Sequence, residues 1–329
     1  RPILMLRTDI SNSAYHSSGE LSRSMAWQLV KSCPAKLWHQ MQNPTPSDAP
    51  HFVVGGCTHT ATLEPHKLDD EYGVKPESID GNSSRTKAYK SAFQEMQERE
   101  PDKQWLTKSD YETCMRMGDS AIEHPLLQTY LDDPDTIIEG TGYFGYEGAS
   151  CKVRPDLFNT RSGVVLDLKT TQEGDPKGFG YSVRKYGYDF QTAFYMEGLR
   201  RMGYNPTQFI YLCVEKSAPY LTSAYEIDLT QVSRMKVKMG EACRTWVKCM
   251  ESGVWPGYGD HVQTLSFARK TADHNRLSIQ ELTEYFNVSR SFVYNKIRDF
   301  DLKTELYGRR RTVDMTEFAN TLNPKEDKK

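Results

Sequence analysis

Apolar positions recur along this chain in two rhythms, one helical and one strand-like. In the first third they return every three to four residues. Leu21, Met25 and Leu29 form such a stripe, widened by Trp27 and Val30, until Ser32-Cys33-Pro34 interrupts it. Pro34 opens a second helical piece through Leu37 and Trp38, because proline suits the first turn of a helix. Further helices are predicted over 52–63, 86–100 and 108–130, the last broken near Pro125 and capped by Ser109 or Asp110. From 137 the rhythm shortens to apolar, β-branched and aromatic runs, which predict strands at 137–148, 151–158, 164–170, 209–214 and 224–227. Within that block, 172–185 carries Gly174, Pro176, Gly178 and Gly180 and reads as a loop. A helix follows over 188–202, stopped by Gly203, and a long amphipathic helix spans 229–252.

Beyond a polar connector the helical rhythm resumes. Residues 278–300 read as two helices around a turn, with Ser278 and Glu281 as a capping box. Leu282, Phe286, Val288, Val293 and Ile297 would form a small core. Residues 301–313 read as a two-stranded wing with a basic tip, and 316–322 as a short helix. The expected organisation is therefore a large α/β domain over 1–260, a linker at 261–276, a small domain at 277–323 and a disordered tail at 324–329.

The stretch 151–171 concentrates the chemistry. Two short strands flank a turn of Asn159, Thr160, Arg161, Ser162 and Gly163. A hairpin centred on Arg161–Ser162 places Asp156 opposite Asp167, and cross-strand partners lie about 5 Å apart. Asp167 and Lys169 are two residues apart on one strand, so they share a face. Charged groups in such an apolar strand must be paired or bound to a metal. Two carboxylates and a lysine thus converge, as phosphodiester hydrolysis requires: acidic residues to hold Mg²⁺, and an ammonium to offset developing charge. A structural Asp–Lys ion pair is the other reading. Gln191 and Tyr195 share a face of the following helix. Lys177, Phe179, Arg184, Lys185 and Tyr186 interleave bases with aromatics, a mixture that suits a nucleic-acid strand. Glu139 is read as a surface strand residue or an extra metal ligand, Glu64 as solvated, and His59 as a core histidine unless the fold brings it to the carboxylates.

Composition limits the alternatives. The chain has 329 residues, 37 % hydrophobic and 26 % charged, an ordinary soluble composition. No apolar run approaches membrane-spanning length, so no membrane partner is expected and a cytoplasmic location is. Arg1–Ile10 shows no signal-peptide pattern and reads as a trimmed start. Seven scattered cysteines without a CxxC pair suggest reduced thiols, not a disulfide frame or zinc site. Net charge is −2, which excludes a uniformly basic nucleic-acid binder. Residues 261–329 hold 13 Lys/Arg against 10 Asp/Glu, so the tail is +3 and the remainder −5.

These residues resemble a known family. RPD and DLKT, followed by YGYDFQTAFY, look like the PD-(D/E)xK nuclease domain of RecE-type exodeoxyribonuclease VIII, within the RecB/lambda-exonuclease class. YHSSGELSRS, SCPAKLWH, GGCTHTATLEP and RTKAYKSAF extend the resemblance over most of 12–258. It implies a restriction-endonuclease-like core, a mixed central sheet flanked by helices. It implies His59, Asp156, Asp167 and the Leu168 carbonyl as metal ligands, Lys169 as the catalytic lysine, and Gln191 with Tyr195 as a QxxxY motif ordering the site. Mg²⁺ is the implied cofactor, with Mn²⁺ able to substitute. The implied activity is processive 5′→3′ resection of duplex DNA ends, by ring-forming homo-oligomers that cooperate with a single-strand annealing protein. A structure-specific or site-directed endonuclease and a non-catalytic DNA-binding regulator are the alternatives. Residues 277–323 resemble an excisionase/MerR-type winged helix-turn-helix. That likeness implies DNA contacts by Ser289, Arg290, Ser291, Tyr294 and Lys296, and by Arg309, Arg310 and Arg311 at the wing.

Overall fold

Val164–Thr171, the strand that carries Asp167 and Lys169, runs through the middle of a five-stranded sheet. The computed structural model describes residues 5–44, 50–76, 86–259, 262, 276–286, 288–307 and 310–322. The chain divides into two units, residues 1–259 and 260–329. The first begins with α1 (Asn12–Ser17), β1 (Leu21–Ser22), α2 (Arg23–Lys31), α3 (Pro34–Gln42) and α4 (Pro50–Leu63). There follow α5 (Leu68–Glu71), β2 (Tyr72–Val74), α6 (Lys87–Arg99), β3 (Gln104–Leu106), α7 (Lys108–Ile122) and α8 (Pro125–Leu131). The strand-rich block holds β4 (Thr136–Ile138), β5 (Gly142–Tyr146), β6 (Ala149–Val153), β7 (Leu157–Asn159) and β8 (Val164–Thr171). After it come α9 (Pro176–Tyr186), α10 (Tyr188–Arg201), β9 (Gln208–Glu215), β10 (Thr222–Tyr225) and α11 (Leu229–Ser252).

The main sheet has the order β10-β9-β8-β7-β4. Only the β8–β9 pair in it is parallel, and a parallel pair needs a crossover, which α9 and α10 provide. A second sheet, β1-β6-β5, and the pair β2-β3 hold the unit's other described strands. Side chains alternate across β8. Val165 joins Phe158, Tyr211 and the α10 residues Phe190 and Phe194 in one buried cluster. Leu166 and Leu168 join Leu157, Leu212, Cys57 of α4 and Met117 of α7 in another. Each fully buried side chain of this size contributes about 1.5–3 kcal/mol on leaving water. The sheet is thus sandwiched, and Asp167, two residues from Val165, faces α10.

Several expectations change. The strand expected over 151–158 is two strands in different sheets, split at Arg154-Pro155-Asp156, where proline has no N–H for a ladder. Leu21 belongs to β1, paired with Cys151, and not to the helix after it. The cap of α7 is Thr107, whose hydroxyl accepts from the Asp110 N–H at 3.1 Å. Most of the expected loop at 172–185 is helix α9. Asp175 caps it, Pro176 opens it, and Gly187 ends it with φ +66°. The loop's proline is therefore a helix-start residue. All seven cysteines are buried and free. No described helix is long and apolar enough to cross a membrane.

The second unit carries β11 (Arg276–Ser278), α12 (Ile279–Phe286), α13 (Arg290–Asp299), β12 (Thr304–Tyr307), β13 (Arg310–Asp314) and α14 (Met315–Leu322). Its strands pair antiparallel in the order β11-β13-β12. Ile279, Leu282, Val293, Val313 and Phe318 form its buried core, with Phe286, Val288 and Ile297 packed against them. The capping box is formed: Ser278 N–H donates to Glu281 Oε2 at 2.8 Å, and Glu281 N–H to Ser278 Oγ at 3.3 Å. Arg309, most of the expected linker and the expected disordered tail lie outside the described residues, as does the Arg310 side chain.

Candidate active site

The β7–β8 register is symmetric about Arg161–Ser162, with Leu157 opposite Leu166 and Phe158 opposite Val165. Gly163 turns the hairpin at φ +76°, where a Cβ would meet the Asn205 carbonyl oxygen at 2.4 Å. The ladder stops one pair short of Asp156 and Asp167. Asp156 is held there all the same: its Oδ2 accepts the Leu168 N–H at 2.7 Å. That same oxygen lies 3.5 Å from His59 Nδ1, which arrives on α4 packed across β8. His59 is therefore at the carboxylates, not in the core.

Asp167 is 1 % exposed and serves two partners. Gln191 of α10 donates its side-chain amide to Oδ2. The Lys169 ammonium pairs with Oδ1, which makes no aligned hydrogen bond. Tyr195 lies one helical turn beyond Gln191, buried and edge-on to Phe209. Burial pushes its phenol well above the ordinary value, and the charges of Tyr15, Asp167 and Asp156 add to the shift.

Glu139 is the residue whose setting differs most from a surface strand. The expected strand at 137–148 is interrupted there, and Glu139 adopts φ +50° between β4 and β5. For a non-glycine residue that conformation carries strain of about 1–3 kcal/mol. Its N–H donates to the Asp156 carbonyl at 3.0 Å, which pins the turn. His59, Glu139 and Asp156 each offer a ligand atom, and these lie within 4.8 Å of one another. Burial, then repulsion from Asp156, drives the Glu139 carboxyl well above the usual range. Burial and the Asp156 charge push Asp167 up to about 6, against the pull of Lys169. For Lys169, burial opposes the charge, but Asp167 and Asp156 outweigh it and raise its pKa. The donor set fits a divalent cation. It joins an imidazole to carboxylates that repel one another, and the buried Asp167 Oδ1 is turned toward the Lys169 ammonium.

A cleft of about 600 Å³ opens onto this cluster, with His59, Glu139, Leu168 and Lys169 in its wall. Glu64 lines it too, half-buried and bridged to Lys67 at 2.6 Å. Arg154 was missed by spacing arguments because its role is tertiary. It donates to Thr141 Oγ1 at 2.8 Å and to the Ile10 carbonyl at 2.9 Å, anchoring the N-terminal segment at the cleft. Arg184 and Lys185 lie on the last turn of α9, and both are exposed. In the second unit Arg290, Ser291, Tyr294 and Arg311 are exposed. Ser289 caps α13, accepting from the Phe292 N–H at 3.1 Å. Lys296 is not a free surface cation: half-buried, it donates to the Thr321 carbonyl at 2.8 Å and ties α13 to α14.

A mixed sheet whose hairpin brings an Asp and an Asp-x-Lys pair together defines a class, the PD-(D/E)xK nuclease superfamily. The chain belongs to the family described as PDDEXK-like domain of unknown function (DUF3799), which matches residues 22–267. Among solved structures it is similar to a "Putative exonuclease" from Eubacterium rectale, with TM-score 0.53 and 15 % identity over 75 % of this chain and 88 % of that one. At that identity the likeness is one of fold. A phage related exonuclease from Haemophilus somnus 129PT matches at 14 % identity over 60 % of this chain and 94 % of that one, with TM-score 0.30. No curated protein matches the chain.

Proposed function

We propose that the first unit is a Mg²⁺-dependent exodeoxyribonuclease that resects duplex DNA ends 5′→3′, leaving 3′ single strands for annealing-type recombination. One observation carries this reading: His59, Asp156, Asp167, Lys169 and Gln191, from four separate stretches, are linked by direct contacts into one cluster, and His59 and Lys169 of it line the cleft. His59, Glu139, Asp156 and Asp167 would hold the cation. A divalent ion there supplies Lewis acidity toward the phosphate and a more acidic bound water. Mn²⁺, which accepts the same ligand types, would substitute. Lys169 stays protonated beside Asp167 and Asp156, so it acts as a fixed positive charge facing the developing charge on the phosphate. Gln191 fixes the orientation of Asp167 by occupying Oδ2 and leaving Oδ1 toward the lysine.

The second unit, taken as a winged helix-turn-helix from its sequence likeness, would bind duplex DNA through Arg290, Ser291 and Tyr294 on α13 and Arg311 on β13. Digestion of end-labelled linear and covalently closed circular duplexes, with Mg²⁺ and with EDTA, tests the assignment. Mg²⁺-dependent loss of linear DNA with circles intact is the expected result. Cutting of circles would make the protein an endonuclease with the same residues. No hydrolysis of either with Mg²⁺ or Mn²⁺ would leave a DNA-binding protein without catalysis.

A further inference from the structure

Helix α9 carries a second kind of surface beside the carboxylates. Tyr181 and Tyr186 on it are 59 % and 46 % exposed. The Arg184 guanidinium lies 5.0 Å over the Tyr181 ring, and the Lys185 ammonium 5.1 Å over the Tyr186 ring. The Tyr186 ring is also the outer end of an aromatic column. It stacks on Tyr188 with centroids 5.8 Å apart, and Tyr188 stacks on Tyr211 at 5.3 Å and on Phe179 at 5.7 Å. Tyr211 and Phe179 are buried in the core, so the exposed ring is backed by rigid packing. The column also touches the site: the Lys169 ammonium lies 5.2 Å over the Tyr188 ring, and Tyr186, Tyr188 and Lys169 all line the cleft.

We propose that Tyr186 stacks an unpaired nucleobase next to the bond to be cut, with Arg184 and Lys185 on the flanking phosphates. This inference rests on the nuclease reading of the same cleft. A nucleobase offers a flat π-face to a tyrosine ring, and its phosphates suit Lys185 over that ring and Arg184 on the same turn of α9. Inside a duplex both faces of each base are already stacked, so beyond the terminal pair the ring can take only a base that has left the helix. The separations of 5.2 Å and 5.8 Å keep Tyr186 within about 11 Å of the Lys169 ammonium. At about 3.4 Å of rise per base, that is a reach of roughly three nucleotides. The strand would therefore enter the site with its last few nucleotides unpaired.

The test uses the full chain carrying Lys169→Ala, with Mg²⁺ present, so that bound DNA is not consumed. Single-stranded oligonucleotides carry the fluorescent base 2-aminopurine at each of the first positions from either end. Binding should quench the probe at a position within about three nucleotides of one end. Adding Tyr186→Ala should remove that quenching and weaken binding roughly 5- to 150-fold, the span of base–aromatic stacking. Tyr186→Phe should keep both, because the ring and not the hydroxyl does the stacking. An abasic site at the quenched position should weaken the Tyr186 protein and leave the alanine variant unchanged, as a coupled pair requires. Unaltered quenching and affinity in Tyr186→Ala, or loss of both in Tyr186→Phe, would overturn the stacking role while the nuclease reading stands. Failure of the protein with Lys169 and Tyr186 intact to bind or cut any oligonucleotide, single or duplex, would remove both.

Discussion

At the residue scale the site is defined by carboxylates that repel one another. Asp167 is buried beside Asp156, and its pKa is raised to about 6 from an ordinary value near 4. Between those values the folded protein binds a proton that the unfolded chain releases. Folding stability from this group is therefore present at low pH and is lost as pH rises through about 6. Glu139 is shifted the same way. The metal-free protein should accordingly melt at a lower temperature at pH 7.5 than at pH 5.5, with a shallower dependence in Asp167→Asn. Added Mg²⁺ should raise the melting temperature more at pH 7.5, where the carboxylates are charged, and scanning calorimetry at both pH values reads each effect. The same argument separates chemistry from folding. Asp167→Ala and Lys169→Ala should each lower Mg²⁺-dependent hydrolysis by at least about 10²-fold, the scale on which removal of one electrostatic partner acts. Asp167→Ala relieves the repulsion from Asp156 but leaves the buried Lys169 ammonium and the Gln191 amide without their partner, so circular dichroism should first show that each purified variant is folded before their hydrolysis rates are compared. Full hydrolysis by either purified variant would refute the assignment of the site.

At the element scale, what could be read from the chain depended on whether the signal was local. The hairpin register was legible, because the turn residues and alternating apolar positions of β7 and β8 are neighbours in sequence. The capping box of α12 was legible for the same reason. Helix α9 was not. Its glycines mimic a loop, while the features that make it a helix, the Asp175 cap and Pro176 in the first turn, are short. Glu139 could be weighed as a ligand, but its setting was hidden, because nothing in the sequence announces a left-handed glutamate whose position is set by the Asp156 carbonyl. His59 could be tied to the carboxylates only through a family likeness, since helix α4 must first cross β8. The α9–α10 junction gives a test of this scale. Gly187 holds φ +66°, and a Cβ there would lie 2.4 Å from the Trp27 ring. Gly187→Ala combines a left-handed penalty of about 1–2 kcal/mol with the cost of moving that ring. Urea denaturation should show a loss of at least about 1 kcal/mol; an unchanged midpoint would mean that the junction relaxes freely.

At the scale of the whole molecule, each unit has a core of its own. The first unit's buried clusters draw on residues from Leu6 to Trp246, and the second unit's on residues from Ile279 to Phe318. The carboxylates, the lysine and the α9 tyrosines belong to the first unit, while the segment 261–329 carries the chain's excess of positive charge, 13 Lys/Arg against 10 Asp/Glu. Chemistry and duplex affinity should therefore separate. Deleting residues 266–329 should leave the turnover rate on saturating DNA close to that of the full chain, because every member of the cluster is retained. It should raise KM and flatten the dependence of binding on salt, because the shortened protein neutralises fewer phosphates and so displaces fewer counterions from the DNA. Any preference for a DNA sequence should disappear with the exposed side chains of α13. Binding isotherms at several salt concentrations, on two unrelated duplexes, measure affinity, salt slope and preference together, and steady-state digestion gives the turnover rate and KM. If the deleted protein binds both duplexes with the same affinity and the same salt slope as the full chain, the second unit does not recruit DNA, and its exposed face on α13 has some other use.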